Sequence, residues 1–213
     1  MKHIKSYELF ESSGFDNFPK TKSSVDIFCK KLGLNDYNIN DDLTVDVNFV
    51  DLSKRHLVDF PIKFNEVNIF MCTQNPNLTS LKGCPKIVLD DFNVMSCGIT
   101  DTTYLPESVG DIFNCSYNKI TTTEIFKVEC THLLYKSNPI YKLINRISEV
   151  IGDNFGIEIG SKRHKEIAYR LDEFNVIKEQ NKIDMISLNS LLDYYNTKFD
   201  ENDFIYIEGY EYI

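Results

Sequence analysis

The longest cationic run in the chain, Lys162-Arg163-His164-Lys165, follows Gly156-Ile157-Glu158-Ile159-Gly160-Ser161. Glycines ahead of a lysine at a helix start are how a phosphate loop is built, because backbone amides and an ammonium together hold an anion. Here three residues separate the glycines where the loop needs four, and Ser precedes Lys. The run therefore reads as the solvated first turn of a helix. Asp200-Glu201-Asn202-Asp203 offers oxygen ligands of the kind calcium takes, without the alternate spacing or distal Glu of a loop site. It reads as an acidic turn. His3, His56, His132 and His164 share no spacing, and neither GxSxG nor HExxH occurs. Six cysteines, at 29, 72, 84, 97, 115 and 130, include no CxxC pair, so neither a zinc site nor a disulfide framework is expected. Lys2 and Lys5 precede no apolar leader segment, and reduced thiols are the expectation. The sequence thus predicts no catalytic residue, no metal ligand and no cofactor.

Charge narrows the partners. The 213 residues carry a net charge of −9, and from Ser148 onward 7 Lys/Arg stand against 14 Asp/Glu. An acidic surface argues against nucleic-acid binding, which needs a basic footprint. No apolar run approaches the ~18 residues of a membrane span.

What must position any functional side chain is a repeat. Phe70-Met71-Cys72-Thr73-Gln74-Asn75 lies over Phe113-Asn114-Cys115-Ser116-Tyr117-Asn118, and each is followed by an apolar residue and Thr, Leu78-Thr79 and Ile120-Thr121. A middle copy runs Phe92 to Thr100, an earlier one Asp51 to Leu57, and the last Leu134 to Ile140. Leu52, Cys72, Val94, Cys115 and Tyr135 are equivalent, at steps of 20, 22, 21 and 20 residues. That is the period of one turn of a leucine-rich solenoid. In such a turn a short strand points alternate residues inward, Phe70 with Cys72 and Phe113 with Cys115. The Asn at 75 or 118 then bonds backbone groups freed by the bend, and Cys97 takes that place in the middle copy. Pro61, Pro85 and Pro106 recur on the return side, where no ladder donor is needed.

Around the repeats, Ser23 and Asp26 form a candidate capping box for a helix bearing Val25, Phe28, Cys29 and Leu32, ended by Gly33. Residues 37–50 alternate as a hairpin around Asn40-Asp41-Asp42. Asn138-Pro139 starts a second helix, carrying Leu143, Ile144, Ile147 and Ile151 to Gly152. Beyond it, Ile157 and Ile159 suggest a strand, and His164 to Asn175 a helix. Val176-Ile177 and Ile183 to Ile186 suggest two strands, Leu188 to Phe199 a helix, and Phe204 to Tyr212 closing strands around Gly209. The predicted fold class is α+β: a short, irregular leucine-rich-repeat-like β-solenoid with helical caps and a small α+β C-terminal region. Its parts are a lead-in and capping helix over 1–36, the solenoid over 37–147, and an acidic α+β region over 148–213.

The phrases FNCSYNKIT (113–121), LTSLKGCPKIV (78–88) and YNINDDLTVDVNFVDLSKRHL (37–57) resemble a family of leucine-rich-repeat-like proteins encoded by tailed bacteriophages and some bacteria. DEFNVIKEQNKIDMISLNSLLDYYN (172–196) is similar to the tail that often follows the family's array, and the likeness spans about four-fifths of the chain. This chain departs from the pattern where Arg55 and Cys97 replace the turn Asn. The resemblance carries over no catalytic residue. It implies a phage protein acting in the infected bacterial cytoplasm or in the virion.

Repeat arrays bind partners on their strand face. The residues expected to point outward there include Asn68, Met71, Asn93, Asn114, Tyr117 and Thr131. The first five are the candidate partner-binding set, for a host or phage protein. A virion component and an enzyme with its site in the C-terminal region are the alternatives.

Overall fold

The computed structural model describes residues 18–152, 162–204 and 207–213. Its centre is a parallel-strand solenoid of about four turns. Helix α1 (Lys22–Leu32) leads into β1 (Tyr37–Ile39), which pairs antiparallel with β2 (Thr44–Asp51) as the predicted hairpin. From β2 onward the ladder is parallel. β3 (Lys63–Met71) lies beside β2 and then splits its pairing between two short strands, β4 (Ile87–Val88) and β5 (Phe92–Asn93). β4 pairs with β6 (Ser108–Val109), and β5 with β7 (Ile112–Asn114), which in turn pairs with β8 (His132–Leu134). Each turn of chain thus contributes two strand segments meeting at a bend. Parallel pairing needs long returns, and the recurring prolines at 61, 85 and 106 sit on them, just before the next strand begins.

Inside, the repeat positions stack as the 20–22-residue period requires. Leu52, Cys72, Val94, Cys115 and Tyr135 are all buried, as are Val50, Phe70, Phe92, Phe113 and Leu133 one layer over. The phenylalanines make a spine: ring centroids are 5.3 Å apart for Phe70 and Phe92 and 5.5 Å for Phe92 and Phe113.

The bends are held by side-chain amides. Asn75 Oδ1 accepts from the backbone N–H of Arg55 and Leu57, both at 3.1 Å, and its Nδ2 donates to Leu52 O at 3.0 Å. Asn118 likewise accepts from Ile99 N and donates to Val94 O and Cys115 O. Asn138 repeats the pattern with Ile120 N, Cys115 O and Tyr135 O. Each carboxamide ties its own turn to the one before. Cys97 fills the place with a thiol, donating to Cys72 O at 3.0 Å. The residue before each of these positions is left-handed: Gln74, Ser96, Tyr117 and Ser137 have φ of 57–62°, and so has Lys54 before Arg55, at 59°. None is glycine, and each such residue costs about 1–2 kcal/mol, which the buried amide bonds beside it offset.

Two glycines are required by close approach. A Cβ on Gly98 would lie 2.3 Å from Pro76 O, and one on Gly110 would lie 2.0 Å from Leu89 O.

Several local expectations shift. The α1 capping box is Thr21 with Ser24, two residues before the predicted pair, while Asp26 bonds Lys30 and Tyr37 instead. Asn138 does precede α2 (Pro139–Val150), but its side chain makes no cap bond because the turn ladder has taken it. α3 spans Lys162–Glu173, with Ile167 and Leu171 buried. After it come β9 (Ile177–Lys178) and β10 (Lys182–Ile183). The predicted strand to Ile186 stops at Ile183, because Asp184 caps α4 (Met185–Tyr194) by accepting from Ile186 N and Ser187 N. Phe199 lies beyond that helix, Phe204 is buried in a turn, and β11 (Glu211–Tyr212) pairs parallel with β10. The strand expected at Ile157 and Ile159, and Tyr206, lie outside the described residues.

The C-terminal elements close the far end of the solenoid. Thr121 Oγ1 donates to Asn181 Oδ1, Tyr210 OH to Thr121 O at 2.6 Å, and Arg146 Nε to Asp203 O at 2.7 Å. The buried residues of both parts form one hydrophobic cluster. No helix among the described residues is long and apolar enough to cross a membrane.

Asn118→Ala strands one buried donor, Ile99 N–H, and one acceptor, Val94 O, while Cys115 O keeps its bond from Asn138, and unsatisfied buried groups cost about 1–3 kcal/mol each. Urea denaturation should show a loss of about 2–4 kcal/mol, whereas Arg55→Ala, at a turn with no earlier turn to reach back to, should stay within about 0.5 kcal/mol. Gly110→Ala should cost about 1–3 kcal/mol by the same measurement.

Candidate functional site

The outer face of the solenoid is set by the ladder's register. Asp51 pairs with Met71, Met71 with Asn93, Asn93 with Asn114 and Asn114 with Leu134. Three of the five predicted binding residues therefore stand in one column, about 19 Å long at the usual strand spacing. All three are half-buried. Asn93 Oδ1 accepts from Met95 N and Asn114 Oδ1 from Ser116 N, each two residues on. Those bonds fix the carboxamides, whose Nδ2 groups carry no hydrogen bond among the described residues.

The other two lie apart from this column. Tyr117 is on the left-handed turn past β7, its side chain about half exposed. Asn68 is three residues before Met71 and lines a separate hollow of about 390 Å³ with Asp36, Tyr37, Asp46, Glu66 and Leu89. Burial opposes ionisation of Asp46. Hydrogen bonds from Asn65 Nδ2 (2.9 Å), Asn40 Nδ2 (3.0 Å) and Glu66 N (3.1 Å) outweigh it and hold the carboxyl below its usual value. Its charge is thus fixed at neutral pH. A second hollow of about 380 Å³ adjoins the first, and Leu89 lines both. Thr131, also expected to face outward, lines this second hollow and donates to Gly110 O.

Sequence reasoning missed a set of acids at the bend between the two strand segments. One carboxylate oxygen each from Asp90, Asp91 and Asp111 lies within 4.8 Å of the others. His132 Nδ1 is 2.9 Å from Asp111 Oδ1, and Asp91 Oδ1 accepts from Ile112 N. A hard cation takes six to eight oxygens, and three half-buried carboxylates supply part of such a set. The detectable signal was the repeat: Asp91 and Asp111 are 20 residues apart, so the period stacks them.

Side chains of the cationic run and of the acidic turn have structural partners. His164 is fully buried, with Nδ1 2.5 Å from Tyr135 OH. Arg163 pairs with Glu166 and lies over the Tyr195 ring, 5.0 Å from its centroid. The glycine loop before them lies outside the described residues. In the acidic turn, Asp203 pairs with Arg146 at 2.5 Å and Asp200 Oδ1 accepts from Asn202 N. Five of the six cysteines are buried, Cys130 is half-buried, and all are free thiols. Burial pushes the Cys84 and Cys115 thiols far up, away from the nucleophilic thiolate.

Burial likewise lowers the His164 pKa from its ordinary value of 6.5. The unfolded imidazole takes up a proton first, so the stability held by neutral His164 is complete above about pH 6.5. It is lost as pH falls through the folded value. Thermal melts between pH 7.5 and 5.5 should show a falling Tm, with a shallower fall in His164→Gln; parallel falls would contradict this.

No family model, curated protein or solved structure matches the chain.

Proposed function

We propose that this chain is a non-catalytic protein-binding module of phage origin that engages a host or phage protein through the outer strand face of its solenoid. The observation that carries the reading is the column of Met71, Asn93 and Asn114, placed in register by the ladder with carboxamides oriented and their donors unused among the described residues. Oriented donors on a rigid backbone lose little entropy when a partner binds. Beside them, half-buried apolar residues such as Met71, Ile112 and Leu134 supply contact area. The phage assignment rests on the repeat phrases and places the partner in the infected bacterium.

Met71→Lys/Asn93→Asp/Asn114→Asp charges the column and removes its amide donors while each Asp keeps the oxygen that accepts from Met95 N or Ser116 N, so each substitution should cost about 0.5 kcal/mol or less. Pull-downs from infected and uninfected lysates should show a partner retained by the native chain and lost, more than tenfold, by the triple variant at near-unchanged Tm. Equal capture by both would reject the strand face as the site.

A further inference from the structure

The two adjoining hollows form one groove along the strand segments β3, β4 and β6, and its chemistry is one-sided. Among the described residues that line it are four carboxylates, Asp36, Asp46, Glu66 and Glu129, and no Lys or Arg. Between its ends sits Leu89, on the bend just past β4, with 54% of its surface exposed. Ladder register fixes the spacing. Glu66 pairs with Ile87, Ile87 with Ser108, and Ser108 with Glu129. Three strand steps of about 4.8 Å put the backbone positions of the two glutamates about 14 Å apart.

An extended peptide rises about 3.3 Å per residue and turns alternate side chains to the same side. Residues i and i+4 are then about 13 Å apart, with i+2 midway between them. We infer that the groove receives an extended cationic segment of a protein partner, with Lys or Arg at i and i+4 against Glu66 and Glu129 and an apolar side chain at i+2 on Leu89. The inference rests on the reading of the strand face as a protein-binding surface and names the chemistry of what binds there. Asp46, ionised and fixed by its three donors, adds to the negative field at the Glu66 end. Such complementary charge sets specificity and register and makes binding sensitive to salt.

The test is fluorescence anisotropy of the full chain with short labelled peptides. One carries Lys at i and i+4 with Leu at i+2. The controls move the second Lys to i+3, replace both Lys by Glu, or replace Leu by Ser. The in-phase peptide should bind at least tenfold tighter than each control, weaken as salt rises, and lose at least tenfold on Glu66→Gln/Glu129→Gln. Both glutamates are exposed, so the double variant should fold as the native chain does. Equal binding of the peptides, no binding of any, or indifference to the double variant each overturns the inference. If it falls while the Met71/Asn93/Asn114 variant still loses its captured partner, the strand-face reading stands without it. If that variant also keeps its partner, the reading falls too.

Discussion

The fold depends on a buried side-chain amide repeated at the bend of each turn. A carboxamide can accept and donate at once, and Asn75, Asn118 and Asn138 use both capacities between two consecutive turns. One bond set satisfies the amide of the apolar residue that closes the earlier turn. Another satisfies carbonyls that the bend would leave unpaired in a dry interior, where an unmet polar group is costly. This also holds the preceding residue left-handed, although Gln74, Tyr117 and Ser137 have no intrinsic preference for it. Cys97 keeps the site small and buried but offers only a weak thiol donor. Arg55 needs no amide, because the first turn has none behind it to tie.

From that constraint the outer surface follows. Locking each bend fixes the phase of the next strand, so outward residues of successive turns stack rather than drift. Met71, Asn93 and Asn114 become a column, Glu66 and Glu129 acquire a defined separation, and three aspartates gather at one bend. The ends of such a stack expose apolar surface and must be covered. Helix α1 and the β1–β2 hairpin lie at the first end. At the other, α2 and the C-terminal elements are tied on through Thr121, Tyr210 and Arg146, and the buried Tyr135–His164 pair lies within that join.

The solenoid was legible because its signal is a period: the buried set Leu52, Cys72, Val94, Cys115 and Tyr135 can be counted off the chain. Asn138 shows where local reading stops. Its sequence context fits a helix cap and a turn amide equally, and only the stacked turn before it decides for the amide. Asp184 ended a strand that composition favoured, since a cap two residues before Ile186 competes directly with the sheet. Of the candidate site, the register column was readable from the repeat. The groove was not, because its walls come from Asp36 to Thr131 and its centre, Leu89, falls on a bend between strand segments. Side chains joined only by folding leave no local pattern.

The most direct measurement of the central claim is amide hydrogen exchange, resolved by residue, in the native chain and in Asn118→Gly. The Ile99 N–H donates to the Asn118 carboxamide. It should be protected nearly to the level of global unfolding in the native chain and exchange far faster in the variant, while Leu57 and Ile120, held by Asn75 and Asn138, stay comparatively slow. Equal protection of Ile99 in both proteins would contradict the account, since the turns would then be held by packing alone.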